Sequence, residues 1–130
     1  MNYVGFLDSV ARRAGLPATE AANVTRATLV TLAERISGGQ ARDLAAQLPQ
    51  EVRGYLHKEE ETAERLDLAE FLHEVRARAG VDDRRAGEGA RAVLTTVRDV
   101  VSPDEFNDMV SELPKDIRQL LQPMGRRVGA

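Results

Sequence analysis

The sequence FLDSVARRAGL at residues 6–16 returns as FLHEVRARAGV at residues 71–81. In both copies the apolar residues recur at intervals of three and four, which is the spacing of one face of an α-helix. Each copy then reaches a glycine, Gly15 or Gly80, the residue type that most often follows the end of a helix. The same helix, present twice with its numbering shifted by 65, predicts two related helical units.

The same shift extends over most of the chain without a gap. Residues 6–56 and 71–121 share 17 identities in 51 pairs, far more than chance would give. Units of about 55 residues lie near the lower size limit for independent folding, so we expect them to pack together. We therefore predict an all-α single domain of about eight helices over residues 1–130. Its parts are unit one (3–56), a charged linker (57–66), unit two (67–121) and a tail (122–130).

Each unit is predicted to hold four helices. In unit one they cover Tyr3 to Ala14, about Pro17 to Ile36, the residues after Ser37, and the residues after Pro49. Ser37 and Ser102 are predicted N-caps, because a serine side chain accepts a hydrogen bond from a backbone N–H of the first turn. Pro103 and Glu105 after Ser102 complete a capping-box pattern. Eight residues on the apolar stripes are predicted to be buried: Phe6, Leu29, Leu44, Leu48, Phe71, Leu94, Met109 and Leu113.

Composition narrows the class of protein. The 130 residues include 18 basic and 21 acidic side chains and no cysteine, which excludes disulfides, thiol nucleophiles and Cys-ligated metals. The mixed charge argues against a nucleic-acid partner, and no apolar run is long enough to span a membrane. The N-terminus lacks the pattern of a secretory signal. Arginine is preferred strongly over lysine, as in GC-rich bacterial genomes, so we expect a bacterial cytoplasmic protein with neither nucleic-acid nor membrane partners.

One stretch points to a family. SGGQARDLAAQLP at residues 37–49 follows an initial Phe-Leu-x-x-Val helix and precedes a second, degenerate copy. The pattern resembles an uncharacterised bacterial family catalogued as domain of unknown function 2267, from Tyr3 to about Leu121. The second copy departs from it, with PDEF at residues 103–106 in place of GGQA at 38–41. The resemblance implies an all-helical fold of two related halves and brings no activity, cofactor or catalytic residue.

Residues for catalysis are sparse. The two histidines, His57 and His73, lie in the charged linker region and on the polar side of a helix, and neither neighbours a Gly-x-Ser-x-Gly turn. Glu70-x-x-His73 has the spacing found in di-iron bundles, but the equivalent place in unit one is Gly5-x-x-Asp8. We therefore predict a protein that is not an enzyme, with no catalytic residue, no metal ligand and no cofactor.

Glycines and the linker are interpreted structurally. Gly38 and Gly39 offer backbone N–H groups that can bind an anion, but the Ser37 side chain competes for them, so capping is favoured. The linker HKEEETAER at residues 57–65 has no apolar face and is interpreted as a solvated segment.

Gly87 and Gly89 lie inside a predicted helix. They indicate a close helix crossing or an altered helix start, with approach of a ligand as the alternative.

Polar residues kept in both units carry the site prediction. Arg26 and Arg91 occupy equivalent positions, as do Asp43 and Asp108. We predict partly buried hydrogen-bonded pairs, Arg26 with Asp43 and Arg91 with Asp108, that tie the second helix of each unit to the third. The alternative is a ligand pocket where the units meet. That alternative moves to first place if Arg91 lies in an open pocket with no carboxylate near it.

Two classes of function follow. The first is a non-enzymatic helical protein-interaction module whose partner is another protein or a second copy of the chain, as in a homodimer. Tyr3, Tyr55 and Val128 fit no strong apolar stripe and are candidates to face such a partner. The alternative is a small-molecule-binding or sensing domain with its pocket between the two units.

Overall fold

The computed structural model describes residues 1–122, and every regular element among them is a helix. The first half holds α1 (Tyr3–Ala14), α2 (Ala18–Arg35), α3 (Gly38–Ala46), α4 (Gln50–Arg53) and a 3₁₀ turn (Gly54–Leu56). The second half holds α5 (Leu68–Ala79), α6 (Asp83–Val100), α7 (Pro103–Ser111), α8 (Lys115–Arg118) and a 3₁₀ turn (Gln119–Leu121). The predicted all-α class is confirmed. Each element of the second half begins and ends at the positions equivalent to those of its counterpart, while the superposition of the two units stays a prediction.

The four longest helices form the centre of the bundle, and the halves interlock there. α1 packs on α6 of the other half, and α2 packs on α5. α2 also contacts α6, and α3 contacts α7, so two pairs of equivalent helices meet each other directly. The two halves consequently share one hydrophobic core instead of each enclosing its own.

The core contains the residues that the apolar stripes predict. All eight are at most 2% exposed, which confirms the prediction: Phe6, Leu29, Leu44, Leu48, Phe71, Leu94, Met109 and Leu113. Burial of such side chains contributes about 1.5–3 kcal/mol each. The described helices turn their apolar faces inward, and none of them is long and apolar enough to cross a lipid bilayer.

Helix ends follow the local sequence. Gly15 and Gly80 adopt left-handed backbone angles, with φ of 67° and 69°, which a residue with a Cβ avoids. Each ends the first helix of its half. The Ser37 hydroxyl accepts a hydrogen bond from Gln40 N, and the Ser102 hydroxyl accepts one from Glu105 N, both at 3.2 Å. The reciprocal bond of the predicted capping box is not formed at Ser102, because the Glu105 carboxylate bonds the Gln40 side chain instead.

Gly89 lies where α6 crosses α2. A Cβ atom built on Gly89 would lie 2.9 Å from Val24 Cβ, which is closer than two non-bonded carbon atoms approach each other in proteins. Val24 is the equivalent of Gly89 in the first half, so the helices cross at equivalent positions. Gly87, one half-turn away, has nothing within 4 Å of its missing Cβ. The close-crossing interpretation therefore holds for Gly89 alone.

The two glycines give a matched pair of variants. Gly87→Ala should raise the free energy of unfolding by about 0.5–1 kcal/mol, because alanine favours a helix over glycine and the site is open. Gly89→Ala should lower it by about 1–2 kcal/mol, since overpacking costs more than the helix propensity returns. Urea denaturation of both variants checks this, and equal stabilities would contradict the close crossing.

Candidate functional site: an arginine-lined groove

The repeated arginines bond to backbone carbonyls. Arg26 donates to the carbonyl oxygen of Arg78 at 3.2 Å, and Arg91 donates to that of Gln122 at 2.5 Å. Asp43 and Asp108 are exposed to solvent. Neither predicted pair, Arg26 with Asp43 or Arg91 with Asp108, is formed among the ion pairs of the described residues. The sequence-based assignment of these four side chains is corrected accordingly.

The register of α3 and α7 explains the correction. Asp43 immediately precedes Leu44, and Asp108 immediately precedes Met109, and the two apolar residues are fully buried. Successive side chains lie about 100° apart around a helix. With the apolar residue directed into the core, the aspartate points along the outer surface of its helix and away from the preceding helix.

Ion pairs instead join one half to the other. Arg78 on α5 donates hydrogen bonds from its two terminal guanidinium nitrogens to the Glu34 carboxylate on α2, at 3.1 Å and 2.7 Å. Arg13 on α1 bonds Asp99 on α6. Arg13 and Arg78 occupy equivalent positions in the two halves, and so do Glu34 and Asp99. The structure thus forms the same pair twice, each time between an arginine of one half and a carboxylate of the other.

Arg78 is the better held of the two arginines. Its side chain is 27% exposed and that of Glu34 is 31% exposed, and it also donates to the buried Thr31 hydroxyl at 2.8 Å. The hydrogen bonds with Glu34 raise the pKa of Arg78 above its ordinary value against the opposing effect of burial, and the nearby Glu74 and Glu64 carboxylates add to the rise. The Glu34 carboxylate thus stabilises the charged form of Arg78.

Reciprocal hydrogen bonds also connect α3 with α7. The backbone N–H of Ser37 donates to the Glu112 carboxylate, and that of Ser102 donates to the Gln47 side-chain oxygen, both at 2.7 Å. Gln47 and Glu112 are again equivalent positions of the two halves. The first four N–H groups of a helix have no acceptor within the helix. Each half thus supplies an acceptor for one of these N–H groups in the other half.

The linker is anchored at the start of α3. The Glu61 carboxylate accepts hydrogen bonds from Gly39 N at 3.1 Å and from Arg42 at 2.9 Å, and its carbonyl oxygen accepts one from Gly38 N at 3.0 Å. A Cβ on Gly38 would lie 3.0 Å from the carbonyl oxygen of Glu60, so the segment needs glycine there. Residues 59–65 are exposed, as expected for a solvated linker, and the hydrogen bonds of Glu61 hold the segment at the start of α3.

The bond from Arg42 lowers the pKa of Glu61 below its ordinary value, and partial desolvation opposes it. The charge of Arg42, the Gly39 N–H and Lys58 add to the lowering. A carboxylate is favoured at a helix N-terminus because of the backbone donors there. The anion site that Gly38 and Gly39 suggested is therefore real, and the chain's own linker occupies it.

Farther along, the linker borders a groove of about 380 Å³ between α2 and the first 3₁₀ turn. The Lys58 ammonium donates to the carbonyl oxygen of Ile36 at 2.8 Å, and Glu64 N donates to that of Glu34 at 2.7 Å. These bonds satisfy carbonyl groups at the end of α2. We call this the linker groove; its lining residues are Val30, Ala33, Glu34, Gly54, Tyr55, His57, Lys58, Glu59, Glu60 and Glu64.

A second groove of about 380 Å³ lies at the equivalent place in the other half, where α6, the second 3₁₀ turn and the end of α1 meet. We call it the arginine groove; its lining residues are Arg13, Arg91, Ala92, Thr95, Arg98, Leu120, Leu121 and Gln122. Its lining holds three arginines and, within residues 1–122, no acidic side chain. Arg91 therefore lies in an open pocket without Asp108, the outcome that favours a ligand site where the halves meet.

A wider depression, about 740 Å³ beside Arg35 and Arg65, is less suited to a ligand. Its three carboxylates already serve as hydrogen-bond acceptors at the start of helices. Asp67 and Glu70 form a capping box on α5, and Asp116 accepts from the backbone N–H of Leu68 and of Ile117. Charges of both signs line it, whereas the arginine groove carries one sign.

Comparison with known families supplies the class of the chain. Residues 3–120 match the model of a family described as an uncharacterized conserved protein (DUF2267). The chain belongs to this family. No protein of curated function matches it. The resemblance carried by residues 37–49 is thus confirmed, and for this DUF2267 chain the function has to be argued from the grooves.

Other candidate residues are accounted for by the fold. Tyr3 and Tyr55 are half-buried against the core, their contact with a partner stays a prediction, and Val128 lies outside the described residues. His57 and His73 are exposed. No three His, Cys, Asp or Glu side chains within residues 1–122 are grouped so that they could hold a metal ion.

The ion pair of Arg78 gives a stability prediction. Arg78→Gln should lower the free energy of unfolding by about 1–2 kcal/mol, because it leaves Glu34 and Thr31 without their donor; partial exposure keeps the loss below the value for a fully buried pair. Arg84→Gln is the matched control, since Arg84 forms only an exposed pair with Glu88 and should change stability by less than about 0.5 kcal/mol. Chemical denaturation measures both, and equal losses would contradict the structural role of Arg78.

The anchored linker gives a pH prediction. The pKa of Glu61 is lowered in the folded chain, so its bond to Gly39 is present above the ordinary carboxyl pKa and is lost as the pH falls through the lowered value. The backbone ¹⁵N–¹H signal of Gly39 should therefore titrate with a midpoint below 4.5. Glu61→Gln should abolish this titration and Glu60→Gln should preserve it. A Gly39 signal that titrates unchanged in Glu61→Gln would contradict the anchor.

Proposed function

We propose that this chain is a non-enzymatic binding module, in a bacterial cytoplasm, that holds an anionic ligand in the arginine groove. The observation that carries the proposal is the position of Arg91, which lines this open groove with Arg13 and Arg98. Guanidinium groups bind carboxylates and phosphates through charge-assisted hydrogen bonds. The groove therefore selects ligands of negative charge.

The floor of the groove supports the same class of ligand. Ala92, Leu120 and Leu121 supply apolar surface between the arginines, and Thr95 supplies a hydroxyl group. Ligand pockets typically combine an apolar lining with a few polar groups that fix orientation, in volumes of about 300–1,000 Å³. With about 380 Å³, the groove accepts an anionic group together with some attached apolar surface.

An NMR titration of the full chain with octanoate tests the proposal, since this probe joins one carboxylate to an apolar tail. We expect saturable shifts confined to the backbone signals of Ala92, Thr95, Leu120 and Leu121. Arg98→Gln should weaken the affinity about fivefold to tenfold, because a charge-assisted hydrogen bond contributes about 1–1.5 kcal/mol at a partly exposed site.

Arg84→Gln serves as the control for this titration. Arg84 is an exposed arginine near the opposite end of α6, so its loss removes the same charge without touching the groove. Its affinity for octanoate should equal that of the parent. Shifts that do not saturate, or that spread over the whole chain, would overturn the proposed function.

A further inference from the structure

The two grooves are built from equivalent residues. Val30 and Tyr55 of the linker groove correspond to Thr95 and Leu120 of the arginine groove. Arg78, which lies beside the linker groove through its bond to Glu34, corresponds to Arg13. The linker groove therefore shows what kind of molecule this surface accommodates, because a segment of chain already lies along it.

That segment is non-helical and acidic. Residues 57–65 read HKEEETAER, and no helix is formed between Leu56 and Leu68. Its backbone donates from Glu64 N to the Glu34 carbonyl oxygen at the end of α2, and the Glu64 carboxylate lies close enough to Arg78 to help raise the pKa of that arginine. The linker thus presents two features at once, a backbone donor for the helix end and a carboxylate near the arginine.

The arginine groove offers the matching acceptors and more positive charge. The carbonyl groups of Asp99 and Val101 are the equivalents of those of Glu34 and Ile36, and neither accepts an inter-element backbone bond within residues 1–122. Arg98 replaces Ala33. A small anion carries carboxylate but no backbone donors, whereas a peptide segment supplies both.

The chain's own continuation has the wrong charge for this surface. Residues 123–130 are the equivalents of the linker residues 58–65, and they include Arg126 and Arg127 but no aspartate or glutamate. Because Arg13 is already paired with Asp99, charge complementarity with Arg91 and Arg98 selects an acidic segment from another molecule.

Resting on the proposed function, we infer that the ligand of the arginine groove is an extended, acidic peptide segment of a partner protein. It lies along α6 and the second 3₁₀ turn as residues 58–64 lie along α2 and the first. Its carboxylates face Arg91 and Arg98, and its backbone N–H groups donate to the last carbonyls of α6.

Peptides copied from the linker test the inference on the full chain. Fluorescently labelled HKEEETAER, the sequence of residues 57–65, is titrated with the protein by anisotropy, alongside HKQQQTAQR, in which every glutamate is replaced by glutamine. We expect saturable binding of the acidic peptide and at least tenfold weaker binding of the glutamine peptide. Arg98→Gln should weaken binding of the acidic peptide at least fivefold, and Arg84→Gln should leave it unchanged.

The other outcomes separate the two proposals. If octanoate binds in the groove but the acidic peptide does not, the inference is overturned while the proposed function stands; if neither binds, both are overturned. Equal effects of Arg98→Gln and Arg84→Gln would mean unspecific charge attraction and would overturn the inference. A concentration-dependent dimer in sedimentation that Arg98→Gln abolishes would make a second copy the occupant, and would overturn the assignment to a partner protein.

Discussion

The crossing of α2 and α6 at Val24 and Gly89 sets how closely the two halves of the chain approach. Only the absence of a side chain at Gly89 leaves room for Val24, so one position determines the distance between the two longest helices. At that distance α1 reaches α6 and α5 reaches α2, and the ion pairs of Arg13 and Arg78 can form. A wider crossing would separate these partners and expose the shared core.

The exchange of contacts makes each half dependent on the other. Arg78 of the second half pairs with the Glu34 carboxylate of the first half. Gln47 of the first half accepts a hydrogen bond from the Ser102 N–H of the second. Loss of one half would leave the part-buried Arg78 without its carboxylate and the Ser102 N–H without its acceptor, and an unsatisfied group costs about 1–3 kcal/mol where it is buried. Units this small gain little from their own apolar burial. Reciprocal polar bonds therefore couple the halves into one cooperative domain.

The helices could be predicted from sequence because their signals are local. Gly15 and Gly80 stop a helix by a backbone preference that operates wherever the residue stands. The polar pairs could not be predicted from sequence, because each pair joins one half to the other and depends on how the two halves pack. A search for identical residues in the two units selects Asp43 and overlooks Glu34, because the equivalent of Glu34 is an aspartate. At that position the two units share a carboxylate that accepts a hydrogen bond and not an identical residue. A pocket at Arg91 could be predicted only as the alternative, and Arg98 carried no repeat signal because its counterpart is Ala33.

The two grooves differ in charge although the helices around them lie at positions 65 residues apart in the sequence. The helix-ending glycines, the serine caps and the ion pairs occur in both halves, so those positions keep their chemistry. Positions 33 and 98 are not among them, and there the halves differ, with alanine beside the linker and arginine in the other groove. One groove is bordered by the acidic chain that joins the halves. The other groove carries the opposite charge on the same scaffold, so a few substitutions give the two grooves different chemistry and leave the shared core unchanged.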